Sequence, residues 1–182
     1  MKQLRWLGMV MVAMVLIGCA NNTGTVVPTG HDMSSMNNDT PYDALFIDSM
    51  IVHHQGAITM AQEALEKAQH TELKTFAQNV IIVQNGEITQ MQKWRQDWYP
   101  KLAISVGTGM DMGDMIVTQD DRFSYDVRWI NSMNSHHQAA VIMAKEALTK
   151  AEHPDIKNIA QAIIDAQTAE ISQLETWRDQ WR

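Results

Sequence analysis

The chain has 182 residues, with 14 Lys and Arg against 21 Asp and Glu, and a formal net charge of −7. This length fits one domain with a sizeable core. The acidic balance and the absence of a Lys/Arg run argue against nucleic acid as a partner.

The first nineteen residues are predicted to be a lipoprotein-type signal peptide, residues 1–19. Lys2 and Arg5 precede an apolar run that is too short to span a bilayer as a helix. The run ends in LIGC, which resembles a bacterial lipobox and implies cleavage before Cys19 and lipidation of its thiol. A plain signal peptide with an incidental cysteine is the alternative. We therefore expect an exported protein, lipid-anchored to a membrane on the periplasmic side of the bacterial cell envelope.

Cleavage also limits the metal chemistry of the mature chain. Removing two of the 14 basic residues leaves 12 against 21 acidic ones, a net charge of about −9. Cys19 is the only cysteine, so its lipidation leaves no free thiol. Soft metals would then be bound by imidazoles and by the thioethers of the ten methionines that follow Cys19.

Residues 20–39 are rich in Asn, Thr, Ser and Gly, which predicts a flexible tether. A helix is expected to start directly after it. Thr40 is the predicted cap, Pro41 occupies the first position, and Asp43 completes a pair resembling a capping box.

An internal repeat determines the predicted architecture of residues 40–182. Residues 46–99 and 129–182 align without a gap at an offset of 83, and about half of the positions are identical. Each repeat has helical periodicity. The periodicity is interrupted at His70 in the first repeat and at His153 in the second, and both histidines are expected to be exposed turn residues. After the interruption a second helix runs to Trp98 in the first repeat and to Trp181 in the second. The prediction is an all-α, ferritin-like four-helix bundle built from two tandem helical hairpins.

The linker between the repeats, residues 100–119, is unusually long for a bundle connection. About 20 residues can extend to roughly 66 Å, which exceeds the length of a 28-residue helix at about 42 Å. A ferritin-like crossover and a simple up-down topology both remain open at this point.

Paired histidines define one candidate metal layer. In the first hairpin, with its turn centred near residue 70, His54 is expected to lie level with Glu87. In the second hairpin, His137 is expected to lie level with Glu170. The same geometry sets Met50 beside Met91. In one interpretation the glutamates satisfy buried imidazoles and the methionines fill the core. In the other, His and Met side chains hold a metal between helices, with Glu as a further candidate ligand, and Glu87, Met91 and Glu170 are in supporting positions.

Two methionine motifs define a second candidate. TGHDMSSM and TGMDMGDM repeat one spacing in polar segments, where methionine has no core to fill. Their candidate ligands are His31, Met33, Met36, Met110, Met112 and Met115. Thioethers prefer Cu(I) and silver, so we interpret the motifs as capture loops. The alternative is a linker whose methionines absorb oxidants.

The sequence resembles a ferritin-like bacterial family called a domain of unknown function, with copper-binding envelope proteins of the CopM type among its members. The resemblance rests on FIDSMIVHHQGAITMA and SMNSHHQAAVIMA and extends from residue 42 onward. It implies a four-helix bundle that binds copper or silver. The family's ligand positions match Met50, His53, His54, Met60, Met133, His136, His137 and Met143. The second copy departs by reading HHQAA and by having Leu174 in place of Met91.

The leading hypothesis is a metal-binding protein, not an enzyme, that buffers or traffics copper, as Cu(I) and also Cu(II), or silver. A protein partner for metal exchange is part of this hypothesis. A di-iron oxidoreductase is the first alternative, but the Glu-x-x-His motif that it needs does not occur. A structural or interaction bundle without metal is the second alternative.

Overall fold

The computed structural model describes residues 40–105 and 111–182. It contains the helices α1 (Tyr42–Lys67), α2 (Thr71–Trp98), α3 (Tyr125–Lys150) and α4 (Pro154–Trp181). The described residues contain no strand, so the all-α prediction is confirmed. Both second helices have 28 residues and end at the expected tryptophans. None of the helices in these ranges is long and apolar enough to cross a bilayer.

The helix starts differ from the prediction. Pro41, not Thr40, caps α1, and the Pro41 carbonyl accepts a hydrogen bond from Leu45 N at 3.2 Å. The capping-box role of Asp43 is also wrong, because its carboxylate is buried against the other hairpin. α3 begins four residues before the aligned repeat, capped by the Ser124 hydroxyl. The connection therefore comprises residues 99–124 rather than 100–119.

Each hairpin turn is held by an aspartate from the first turn of the other hairpin. Asp126 accepts hydrogen bonds from the backbone N–H groups of Gln69 and His70 at 3.0 and 2.9 Å, and contacts His70 Nδ1 at 2.6 Å. Asp43 makes the equivalent contacts with the turn at His153. The two histidines, expected to be exposed turn residues, are the N-cap residues of α2 and α4, and the side chain of each contacts an aspartate.

The topology contains a crossover. Asp43, at the start of α1, contacts the turn that follows α3, so α1 and α3 are antiparallel. Since each hairpin is itself antiparallel, α2 and α3 run in the same direction, and the connection must pass from one end of the bundle to the other. Asp48 holds its first part through Arg95 at 2.7 Å and Ser105 N at 2.9 Å. Ser132 holds its last part through Thr118 N at 3.0 Å.

The core consists of two apolar clusters, one at each end of the bundle. Phe46, Met50 and Met143 belong to the cluster at the end where α1 begins. Met60 and Trp129 belong to the cluster at the end where α3 begins. Buried polar side chains separate the two clusters and form what we call the polar layer: His53, His54, Gln84, His136, His137 and Gln167.

Candidate metal site

Two closely spaced imidazoles, with their planes tilted by 36°, form the centre of the polar layer. The rings of His53 and His136 lie 3.6 Å apart between centroids, and both residues are fully buried. His53 Nε2 donates to the His136 carbonyl at 3.0 Å, and His136 Nε2 donates to the His53 carbonyl at 2.9 Å. Because a carbonyl only accepts, both rings carry their proton on Nε2. The pair joins the two repeats across α1 and α3.

The outer histidines meet the glutamates that helix geometry predicted. His54 Nε2 lies 2.7 Å from Glu87 Oε2, in a hydrogen bond. His137 Nε2 lies 2.9 Å from Glu170 Oε2, a contact without hydrogen-bond alignment. The prediction that each of these histidines lies level with its glutamate is therefore confirmed. Both imidazoles are fully buried, and both carboxylates are partly exposed.

Burial keeps the central imidazoles neutral. It lowers the pKa of His53 to about 2, with a further contribution from the neighbouring rings of His136, His54 and His137. Burial and His137 similarly lower the pKa of His136 to about 3. The neutral imidazole is the form that can bind a metal.

The second nitrogen of every histidine in the layer has no hydrogen-bond partner. Nδ1 is buried and unpaired in His53, His54, His136 and His137. In the central pair Nδ1 is a lone-pair acceptor, because Nε2 holds the proton. Buried polar atoms usually have partners, so four unpaired ring nitrogens on one layer mark a site with unused ligand capacity.

The last part of the connection packs directly beside this layer. An ideal Cβ at Gly56 would lie 2.8 Å from Met115 Sδ and 3.3 Å from His136 Nε2. The thioether and the imidazole therefore flank the same point above Gly56. Gly113 supports this arrangement with a left-handed φ of 60°, and its own Cβ would lie 2.5 Å from the Ser135 carbonyl oxygen.

The second methionine motif was expected to have no core to fill, but its described part packs against the bundle. Met112 packs against the core cluster at the α1-start end. Asp114 N contacts Ser135 Oγ at 3.3 Å, and Val117 is buried in the other cluster. These contacts hold residues 111–118 against the bundle, which the spacing of the methionines in the sequence does not predict.

The other candidate ligands separate into two groups. Met50, Met91 and Met143 lie in one core cluster, and Met60 and Met133 lie in the other. The candidates Cys19, His31, Met33, Met36 and Met110 lie outside the described residues. Within the described ranges, no group of three or more His, Cys, Asp or Glu side chains is arranged to hold a metal ion.

The sequence did not predict that Met115 packs against α1 at Gly56. The signal was present, because the first repeat reads HHQG where the second has Ala139. The glycine removes a side chain at the point where the thioether approaches α1. The two repeats are consequently not equivalent around the polar layer.

The fold and the polar layer define a class: a four-helix bundle of two fused helical hairpins, with histidines at their junction. The family model described as a domain of unknown function, DUF305, matches residues 21–122 and 126–182. The chain belongs to the DUF305 family. No protein of curated function has a significant sequence match to it.

Solved structures of CopM resemble this chain closely. CopM in its Cu(I)-bound form has 40% sequence identity and a TM-score of 0.65, covering 76% of this chain and 96% of CopM. The Ag-bound form obtained by co-crystallization has 38% identity with the same coverage and TM-score. A DUF305 fragment from Deinococcus radiodurans has 21% identity and a TM-score of 0.63, covering 78% of this chain and 97% of the fragment. That likeness concerns the fold alone.

Proposed function

We propose that this protein binds copper and silver in the cell envelope, for buffering, tolerance or trafficking. One observation carries the proposal: the Met115 thioether and the His136 imidazole flank a single point above Gly56. A soft sulfur donor beside a neutral imidazole is a ligand pair suited to Cu(I) and Ag(I). The similarity to CopM, which has been solved with Cu(I), Cu(II) and silver, supports the same assignment.

Capture would begin at the thioethers. Met110, Met112 and Met115 belong to the connection, and His31, Met33 and Met36 form the matching motif before α1. Thioethers are uncharged, so they bind a soft monovalent ion without a proton being released. Transfer of the ion to a protein partner then needs only competing sulfur ligands on that partner.

The polar layer would supply the imidazole ligands. For His136 Nε2 to bind copper, its hydrogen bond to the His53 carbonyl must break and the ring proton must move from Nε2 to the unpaired Nδ1. Imidazoles also suit Cu(II), which explains how one protein can take both oxidation states. The candidate ligands that remain buried in the core, such as Met60, would require local opening to take part.

The remaining parts of the proposal concern chemistry and location. We assign no catalytic role, because the helices lack the Glu-x-x-His motifs of di-iron enzymes. We also propose export and a lipid anchor at Cys19. A DUF305 protein of Streptomyces coelicolor, named as a candidate secreted protein, is consistent with export.

Bound-metal analysis of residues 20–182, purified after growth with added copper, tests the proposal. The expected result is copper at stoichiometric amounts, replaceable by silver. Iron in place of copper would favour the di-iron alternative. A protein that contains no metal and takes up neither ion would support a structural or interaction bundle.

A further inference from the structure

A cavity between α2 and α4 lies on the outer side of the polar layer. Its polar lining consists of Gln84 and Glu87 from α2, and Gln167 and Glu170 from α4. Apolar side chains of the same two helices complete the wall. The cavity has a volume of about 10 Å³, the size that admits one water-sized sphere.

The two glutamines provide the strongest indication of a ligand. Gln84 and Gln167 are only 3% and 4% exposed, and the Oε1 atom of each is buried without a hydrogen-bond partner. A buried amide oxygen normally has a partner, because leaving it unpaired costs free energy. Here two such acceptors line the same small space.

The two glutamates add negative charge to that space. Glu87 and Glu170 contact their histidines through Oε2, which leaves Oε1 of each for another ligand. No Lys or Arg is among the residues that line the cavity in the part of the chain that the structure describes. The lining therefore combines two carboxylates and two unpaired amide oxygens without a basic counter-charge.

We propose that this cavity is a second metal site, for a divalent cation with oxygen ligands of the Mn²⁺ or Ca²⁺ class. Carboxylate and amide oxygens suit these ions, whereas Cu(I) and Ag(I) prefer the sulfur side of the polar layer. The cation joins α2 of one repeat to α4 of the other. It also holds the glutamates that orient His54 and His137, so occupancy of this site fixes the outer histidines.

Mn²⁺ titration of copper-free residues 20–182, followed by the electron paramagnetic resonance signal of the free ion, tests the site. The wild type should bind one Mn²⁺ per chain. Excess Mn²⁺ at about 100 times Kd should raise Tm by about 5–10 °C. The variant Gln84→Leu/Gln167→Leu, which keeps every His, Met and Glu, should bind at least about 10-fold more weakly.

A matched control separates ligand loss from a general effect on the helices. Gln90→Leu/Gln173→Leu changes exposed glutamines on the same two helices and should bind Mn²⁺ like the wild type. Circular dichroism checks that all variants are folded. Two results would overturn the proposal: no Mn²⁺ or Ca²⁺ uptake by the wild type, which would leave a water in the cavity, or undiminished uptake by the Gln84→Leu/Gln167→Leu variant.

Discussion

Gly56→Ala should weaken Cu(I) binding although it removes no ligand. The added Cβ would lie 2.4 Å from Met115 Cε and 2.8 Å from Sδ. Carbon contacts relax to about 3.5–4.0 Å, so the thioether must move by roughly 1 Å. A displacement of this size at a metal ligand should cost about 10-fold in affinity, equivalent to about 1.4 kcal/mol.

The same substitution should change stability little. Replacing glycine by alanine inside a helix stabilises by about 1 kcal/mol. Crowding in a packed site costs about 1–3 kcal/mol, and the low end applies because the crowded atoms are the end of a flexible methionine. The two effects oppose each other, so we expect the free energy of unfolding to change by less than about 1 kcal/mol.

Gly86→Ala is the matched control. A Cβ at Gly86 has no neighbour within 4 Å, so this variant gains helix propensity without disturbing the site. Its Tm should rise by about 2–4 °C, and its Cu(I) affinity should not change. Anaerobic competition with a Cu(I) chelator measures all three proteins. If Gly56→Ala binds Cu(I) as tightly as Gly86→Ala, the packing of Met115 against Gly56 has no role in metal binding.

Three further predictions concern the turns, the acid sensitivity and the anchor. Asp126→Ala removes the acceptor of two backbone N–H groups and His70 Nδ1, so the protein should lose about 2–4 kcal/mol and melt about 5–15 °C lower, unlike the exposed control Asp155→Ala. A melting point equal to that of the control would contradict this. Because the pKa values of His53 and His136 lie well below the ordinary 6.5, the unfolded chain binds more protons below pH 6.5, and stability is lost as the pH falls from 6.5 toward 3. Urea unfolding of metal-free protein should show a loss of up to about 4 kcal/mol between pH 6.5 and 5, and equal stability at both pH values would disprove the buried neutral pair. Cys19→Ser should move the protein from the membrane to the soluble envelope fraction, and retention in membranes would exclude the lipid anchor.

The helical architecture was predictable because it depends on local periodicity and on a repeat. The offset of 83 gave both hairpins, and counting residues from the turn gave the contacts of His54 and His137 with their glutamates. Such arithmetic works because both arms of a hairpin rise equally per residue.

The contacts between repeats were not predictable in this way. Asp43 looked like a local helix cap, but its carboxylate accepts hydrogen bonds from residues 152 and 153. The central His53–His136 pair likewise depends on how the two hairpins dock. The docking of the two hairpins depends on long-range contacts that helical periodicity does not encode. For the same reason, the sequence could not distinguish a crossover from an up-down topology.

The site was predicted in residue types rather than in geometry. The sequence identified the histidines and the methionine motifs, but it did not indicate that Gly56 brings Met115 beside His136. It also gave no reason to single out Gln84 and Gln167, which look like ordinary polar residues of amphipathic helices. Their importance follows only from burial without a partner.

Anaerobic Cu(I) titration of residues 20–182 against a competing chelator tests the proposed function most directly. The comparison is with a variant in which Met33, Met36, Met110, Met112 and Met115 are leucine, a substitution that preserves size and usually costs less than about 1.5 kcal/mol even in cores. The wild type should take Cu(I) from the chelator, and the variant should take at least about 10-fold less while keeping its Cu(II) binding through imidazoles. Equal Cu(I) and Ag(I) binding by both proteins would contradict the assignment of the methionine motifs as the capture site.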